Sequence, residues 1–274
     1  MMCFLISKET VYGIKKMKTN FLAVFLLCAY CAIYAEELLD VPFVITAENK
    51  IEIPAEVNGV FGFFQFDTGT VPFCLFEKIK SFDFAGVYSQ TIRGVRAEYQ
   101  AYAVSGFQAG IYGVKRRFPA ITLERDFWDV DSRWEKGIFG IAPFLLAHAQ
   151  FGLFSSENRI RELRFIPKDF IASDLLVHEN TFYIIAKIGS SEIPAKIDTG
   201  NSACVSVPKA LAGERVGVLG VQIAPNDVSV VDSLQDYIVL GVNFLRKFDV
   251  IFDIGNRTFY YKKLSECFGE DEAK

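Results

Sequence analysis

Residues 51–69 read IEIPAEVNGVFGFFQFDTG, and residues 181–200 read TFYIIAKIGSSEIPAKIDTG. Aligned without gaps on the final tripeptide, Ile53 meets Ile184, Ala55 meets Ala186, Val57 meets Ile188 and Phe66 meets Ile197. Each stretch predicts a strand, a tight turn (Asn58-Gly59 or Gly189-Ser190-Ser191), a second strand, and then a carboxylate on a sharp loop. A given tripeptide is expected by chance about 0.03 times in a chain of this length, so two Asp-Thr-Gly copies with matching flanks mark a duplication. Asp and Gly favour turns by themselves, but a turn does not explain the matched strands before it. Duplicated loops with one acid each bring Asp67 and Asp198 together on a two-fold axis. Two carboxylates a few ångströms apart resist joint ionisation, so one acts as acid and the other as base at the same pH.

Composition sets the wider limits. The chain has 274 residues, 51% of them hydrophobic and 15% aromatic, with 27 Phe, which is ample for a packed core and excludes a disordered chain. Short runs of Val, Ile, Phe and Tyr favour strands. Lys15, Lys16 and Lys18 precede the apolar run FLAVFLLCAYCAI, and Ala35 stands before Glu36-Glu37. A basic region, a short apolar run and a small residue at the exit predict a signal peptide over residues 1–35, with Met1 or Met17 as the start. The expected destination is the periplasm or the exterior. An uncleaved membrane anchor is the rival, though the run is shorter than a span usually needs. Without residues 1–35, which carry four Lys and one Glu, the net charge of −4 becomes about −7. That balance, with no basic stripe, argues against nucleic acid as a partner.

Metal and cofactor chemistry has little to draw on. Two His, His148 and His178, lie far apart, and Cys74, Cys204 and Cys267 form no CxxC pattern. No metal and no cofactor is expected. Cys74 and Cys204 follow the two Asp-Thr-Gly loops at similar distances, and burial as small hydrophobes is favoured over a disulfide between them.

A second repeat follows later in each half. GIFGIAPFLLAHAQFGLFSSENRIREL spans 137–163, and IVLGVNFLRKFDVIFDIGNRTFYYKKL spans 238–264. Ile138-Phe139-Gly140 matches Val239-Leu240-Gly241, Phe144-Leu145 matches Phe244-Leu245, and Asn158-Arg159 matches Asn256-Arg257. The shared Gly marks a close approach of another backbone. The chain therefore divides into an N-terminal unit, 36–165, and a C-terminal unit, 166–274. From Asp to the late Gly is 73 residues in the first unit and 43 in the second. The surplus holds SQTIRGVRAEYQAYAV (89–104), which predicts a hairpin with its tip between Arg93 and Ala97. The second unit shows no counterpart.

Together these features resemble the aspartic peptidases, across nearly all of the chain beyond residue 35. GIFGIA is similar to the first-lobe segment of pepsin-like enzymes, and VLGVNFLRKFDVIFDIGNRTFYY to the end of pepsins and of bacterial retropepsin-like domains. The short halves look closer to two fused retropepsin-like units than to a full-length pepsin. The resemblance implies an all-β protein of two homologous lobes with an active-site cleft between them. It implies an exported aspartic endopeptidase that acts on polypeptide without a metal, monomeric with an internal pseudo-dimer.

Carried over residue by residue, the resemblance makes Asp67 and Asp198 the pair that activates water. The sharing of one proton is the known behaviour of that enzyme class rather than a result of this sequence. Thr68 and Thr199 would cross-bond to the opposite loop, Gly69 and Gly200 would let the backbone pass close to the carboxylates, and Thr70 would bond the outer oxygen of Asp67. Asn201 stands where many pepsins carry Ser or Thr, and is expected to offer an amide donor there. The hairpin tip, Arg93, Gly94, Val95 and Arg96, would be the flap. Tyr88 and Tyr99 flank that tip, as a flap tyrosine or as cross-strand packing aromatics. A catalytically silent exported protein that grips an extended peptide by strand addition is the alternative. An obligate homodimer ranks below both, because one chain already supplies the two-fold.

Overall fold

The computed structural model describes residues 38–57, 60–70, 73–75, 89–93, 98–104, 108–111, 114–117, 120–123, 135–141, 150–178, 180–234 and 236–265. The expected signal segment 1–35, the Asn58-Gly59 turn, Tyr88, the hairpin tip 94–97, Phe144-Leu145, His148 and Cys267 lie outside these residues.

The protein is all-β, as its strand-favouring composition predicts. The first half contributes β1 (Asp40–Pro42), β2 (Val44–Ile45), β3 (Ile51–Val57), β4 (Val60–Phe66), β5 (Phe73–Leu75), β6 (Ser89–Arg93), β7 (Glu98–Val104), β8 (Gln108–Ile111), β9 (Val114–Arg117), β10 (Ala120–Leu123), β11 (Glu135–Phe139), β12 (Gln150–Phe154) and β13 (Arg159–Leu163). The second contributes β14 (Ile171–Asp174), β15 (Leu176–His178), β16 (Thr181–Ile188), β17 (Ser191–Ile197), β18 (Val205–Pro208), β19 (Val216–Val218), β20 (Val221–Gln222), β21 (Val228–Val231), β22 (Ile238–Leu240), β23 (Phe248–Asp253) and β24 (Thr258–Lys263). Among the described residues, helix is confined to α1 (Val242–Leu245) and two 3-10 turns at Lys209–Leu211 and Pro225–Asp227. No helix among them is long and apolar enough to cross a membrane.

Strands β2 to β11 form one ten-stranded sheet and β15 to β22 one eight-stranded sheet. The duplication read from sequence is a duplication of register. Ile53 pairs with Phe64 across β3–β4, and Ile184 with Ala195 across β16–β17. Both paired strands are then crossed in parallel by a later one: Phe139 of β11 opposite Phe66, and Leu240 of β22 opposite Ile197. Beside β3, β8 pairs Gly110 with Glu56; beside β16, β19 pairs Gly217 with Lys187, the same offset. The inward face follows period-two patterning: Phe182, Ile184, Ala186 and Ile188 of β16 are all buried.

The halves differ where the sequence surplus lies. Strands β6 and β7 pair antiparallel, with Arg93 opposite Glu98, and β7 pairs with the outer edge of β10. In the second half β21 holds the place of β10, pairing in parallel with β18. Among the described residues no further strand adds to β21.

A third sheet, in the order β1-β13-β12-β23-β24-β14, takes strands from both halves. Its centre is the antiparallel pair β12–β23, where Phe151 stands opposite Phe252 and their rings stack at 4.7 Å. Phe182 and Phe259 pack against Phe252 at 5.1 and 5.3 Å, so this sheet joins one continuous core. The 165/166 boundary thus falls inside a shared sheet. The buried carboxylates of β23 are satisfied from neighbouring segments. Asp249 accepts from the Ser156 amide and hydroxyl at 2.9 and 2.6 Å, and Asp253 from the Gln150 and Asn256 amides.

One sequence match is corrected by the turns of this sheet. Phe154 pairs with Arg159 and Asp253 with Thr258, so both hairpins have four-residue loops. The left-handed residue closing each loop is Asn158 (φ 53°) in the first and Arg257 (φ 51°) in the second. Asn158 therefore corresponds to Arg257 and not to Asn256. The shared Asn-Arg dipeptide suggested the wrong register, because loop length rather than residue identity sets a hairpin's alignment.

Candidate active site

Asp67 follows β4 directly, and Asp198 follows β17. Strand β11 accepts the Asp67 amide at Phe139 O (3.0 Å), and β22 accepts the Asp198 amide at Leu240 O (3.0 Å). Each loop then turns back: the Thr70 amide donates to Asp67 O at 3.3 Å and the Asn201 amide to Asp198 O at 3.1 Å. The second residue after each crossing strand closes the loop, Ile141 N to Thr70 O at 3.0 Å and Val242 N to Asn201 O at 2.8 Å. Six backbone bonds in two matching sets thus fix where each aspartate leaves its sheet. Gly241 is part of this closure. A Cβ there would collide with the carbonyls of Asn201 and Ala203, which is the close backbone approach expected for the late glycine.

The two loops are tied to each other by their threonines. The Thr68 amide donates to Thr199 Oγ1 at 2.9 Å, and the Thr199 amide to Thr68 Oγ1 at 3.0 Å. Each hydroxyl passes its own proton across the axis, Thr68 Oγ1 to Ile197 O at 3.0 Å and Thr199 Oγ1 to Phe66 O at 2.8 Å. Both threonines are 1% exposed, so these four bonds are shielded from competing water.

The carboxylates rest on the glycines that follow these threonines. A Cβ on Gly69 would come within 2.5 Å of Asp198 Cγ, and one on Gly200 within 2.5 Å of Asp67 Oδ2. Each carboxylate therefore rests on the glycine of the opposite loop, where only hydrogen leaves room. The Gly69 amide donates to Asp67 Oδ1 at 2.7 Å and the Gly200 amide to Asp198 Oδ1 at 3.0 Å. With backbone bond lengths between these contacts, the two carboxylates are within about 8 Å of one another. Burial, and then the negative charge of Asp198, push Asp67 up to about 7; the Thr70 hydroxyl, Lys196 and the Gly69 amide oppose that rise.

The second oxygens break the symmetry. Thr70 Oγ1 donates to Asp67 Oδ2 at 2.7 Å, as expected. The Asn201 side chain does not serve the Asp198 carboxylate. Its Oδ1 accepts the Ala203 amide at 2.9 Å in a local turn, and its Nδ2 goes to Ser206 Oγ at 3.2 Å. Asp198 Oδ2 instead accepts from Lys196 Nζ at 2.8 Å. Lys196 was not singled out by sequence. Its signal was there: residues i and i+2 of a strand share a face, so a Lys two positions before the aspartate points the same way. The matching residue in the first half is Gln65, whose Nε2 reaches Gly200 O at 3.4 Å.

Of the other expected site residues, Arg93 ends β6, and Gly94, Val95 and Arg96 fall outside the described residues. Cys204 is a buried free thiol, which burial pushes up to about 11. Among the described residues, no group of three or more His, Cys, Asp or Glu comes together to hold a metal. No protein-family model matches the sequence, and no curated protein matches it.

Proposed function

We propose that the protein is an exported aspartic endopeptidase in which Asp67 and Asp198 hydrolyse a peptide bond through an activated water. The observation that carries this reading is the paired loop: two buried carboxylates, each on the opposite glycine, locked by the reciprocal Thr68–Thr199 bonds. Such rigidity suits a pair of acids that must hold one geometry through a reaction.

The chemistry needs one carboxylate ionised and one protonated. The ionised one takes a proton from water as the water oxygen bonds to the peptide carbonyl carbon. The protonated one gives its proton to the carbonyl oxygen, so a neutral tetrahedral diol forms. On collapse, the first acid returns its proton to the departing nitrogen, the C–N bond breaks, and a diol hydroxyl returns a proton to the second. The raised Asp67 supports this division, because an acid near 7 keeps a proton that an ordinary aspartate would lose. The hairpin β6–β7, present in one half alone among the described residues, is the flap in this reading. The segment 1–35 would direct export, and the chain would act as a monomer with an internal pseudo-dimer.

The Lys196–Asp198 ion pair is the feature that would suit a silent peptide binder, since a neutralised carboxylate need not be a working base. Cleavage of an unfolded protein across a pH series, with and without pepstatin, separates the two. Pepstatin-sensitive cleavage is expected. Peptide binding with no cleavage at any pH would overturn the enzymatic reading.

A further inference from the structure

We propose that Lys196 is a positioning residue for the proton: it holds Asp198 as the carboxylate and leaves the shared proton on Asp67. This rests on the reading of the pair as a proton-sharing site. The geometry that carries it is a broken symmetry. The inner oxygen of each aspartate accepts a loop amide two residues on, at 2.7 Å in one half and 3.0 Å in the other. The outer oxygen of Asp67 accepts a neutral hydroxyl from Thr70, whereas the outer oxygen of Asp198 accepts an ammonium from Lys196. Asn201, which occupies the position of Thr70, has turned to Ser206 and Ala203, so the ammonium stands in the place of the missing hydroxyl. A hydroxyl is neutral and rotates to suit either protonation state of its partner. An ammonium has protons only to give, and it favours the ionised partner.

The surroundings make this contact strong. The side chains of Lys196 and Asp198 are 17% and 12% exposed, so solvent screens the pair little. Among the described residues, the titratable groups acting on Lys196 are Asp198 at the end of its own strand, Asp67 on the opposite loop, and Tyr237 before β22. Tyr183, directly opposite Lys196 in β16, packs edge-on against Tyr237. Burial pulls the Lys196 ammonium down, but the charge and hydrogen bond of Asp198, with Asp67 beyond, outweigh it and hold the ammonium above its usual range. The cation therefore persists wherever the pair would work. Asp198 becomes the base that takes the proton from water, and Asp67 the acid that meets the carbonyl oxygen.

The sign of the pH effect follows. A cation lowers both ionisation steps of the pair, and lowers the step at the contacting carboxylate more. Removing it raises the acidic limb of the rate profile more than the alkaline limb, and the active range narrows from the acid side. The experiment compares the parent with Lys196→Gln, which installs the residue found at the equivalent position 65, and with Lys196→Arg, which keeps the charge. Two readouts are taken on the whole protein: kcat/KM against pH, and the 13C carboxyl titrations of Asp67 and Asp198, assigned with the single Asn variants. Asp198 is expected to ionise at lower pH than Asp67 in the parent. In Lys196→Gln the acidic limb should rise by roughly 1 to 3 pH units, and Lys196→Arg should return it most of the way. Asp67 ionising first in the parent, or profiles of Lys196→Gln and the parent that superimpose, would overturn the assignment. If Lys196→Gln fails to fold, the order of ionisation in the parent decides alone. If the parent cleaves no peptide but its carboxyls titrate in the expected order, the peptidase reading fails while the role of Lys196 stands.

Discussion

Thr68 and Thr199 each donate a backbone N–H to the other's hydroxyl, at 2.9 and 3.0 Å, so neither aspartate loop is complete without the other half of the chain. Thr199→Val removes one acceptor and one donor from this arrangement and takes the Thr199 hydroxyl away from the buried Thr68 amide and the Phe66 carbonyl. Each such group costs about 1–3 kcal/mol, so a loss of roughly 2–5 kcal/mol is expected. Thr199→Ser keeps the hydroxyl and should lose far less. Urea unfolding of the three proteins measures both. Equal midpoints for the Val and Ser variants would show that the cross-bonds contribute nothing net.

Asp67→Asn and Asp198→Asn should each abolish nearly all peptide cleavage while leaving the fold intact. Either change keeps size and polarity but destroys the acid–base pair. Initial rates on an unfolded protein substrate, with circular dichroism as the control for folding, give the answer. Parent-like cleavage by both single variants would place the chemistry elsewhere.

Stability should depend on pH through Asp67. Its folded-state pKa of about 7 lies above the ordinary 3.8, so folding favours its protonated form. That contribution is complete below the unfolded value and is lost as pH rises through 7. Asp67→Asn has no proton to lose, so its stability should be flatter between pH 4 and 8 than that of the parent. Parallel curves for the two proteins would remove Asp67 as the source.

Shortening the hairpin β6–β7 at its tip should raise KM and lower kcat together, because a lid both holds the peptide and excludes water. Steady-state kinetics on a peptide spanning several subsites provides the measurement. An unchanged kcat/KM would mean that residues 89–104 do not close over substrate.

The repeat and much of the site's composition were legible in the chain of residues alone. The gapless match of Ile53 with Ile184 and Phe66 with Ile197 became an identical strand register, because period-two burial leaves no freedom to slip by one residue. The 89–104 surplus became the extra antiparallel pair β6–β7 for a similarly local reason, the strand-favouring residues of its two arms. Where the signal was residue identity alone, it misled. The Asn-Arg dipeptide paired Asn158 with Asn256, while four-residue loops pair Asn158 with Arg257. Three features arise only once the chain has folded. The shared sheet of β12 and β23 depends on contacts about a hundred positions apart, which no local pattern encodes. The closeness of the two carboxylates depends on glycines of opposite loops. The donor to Asp198 was settled by competition: Asn201 found nearer partners in Ala203 and Ser206, and Lys196, reaching along its own strand face, took the vacant oxygen.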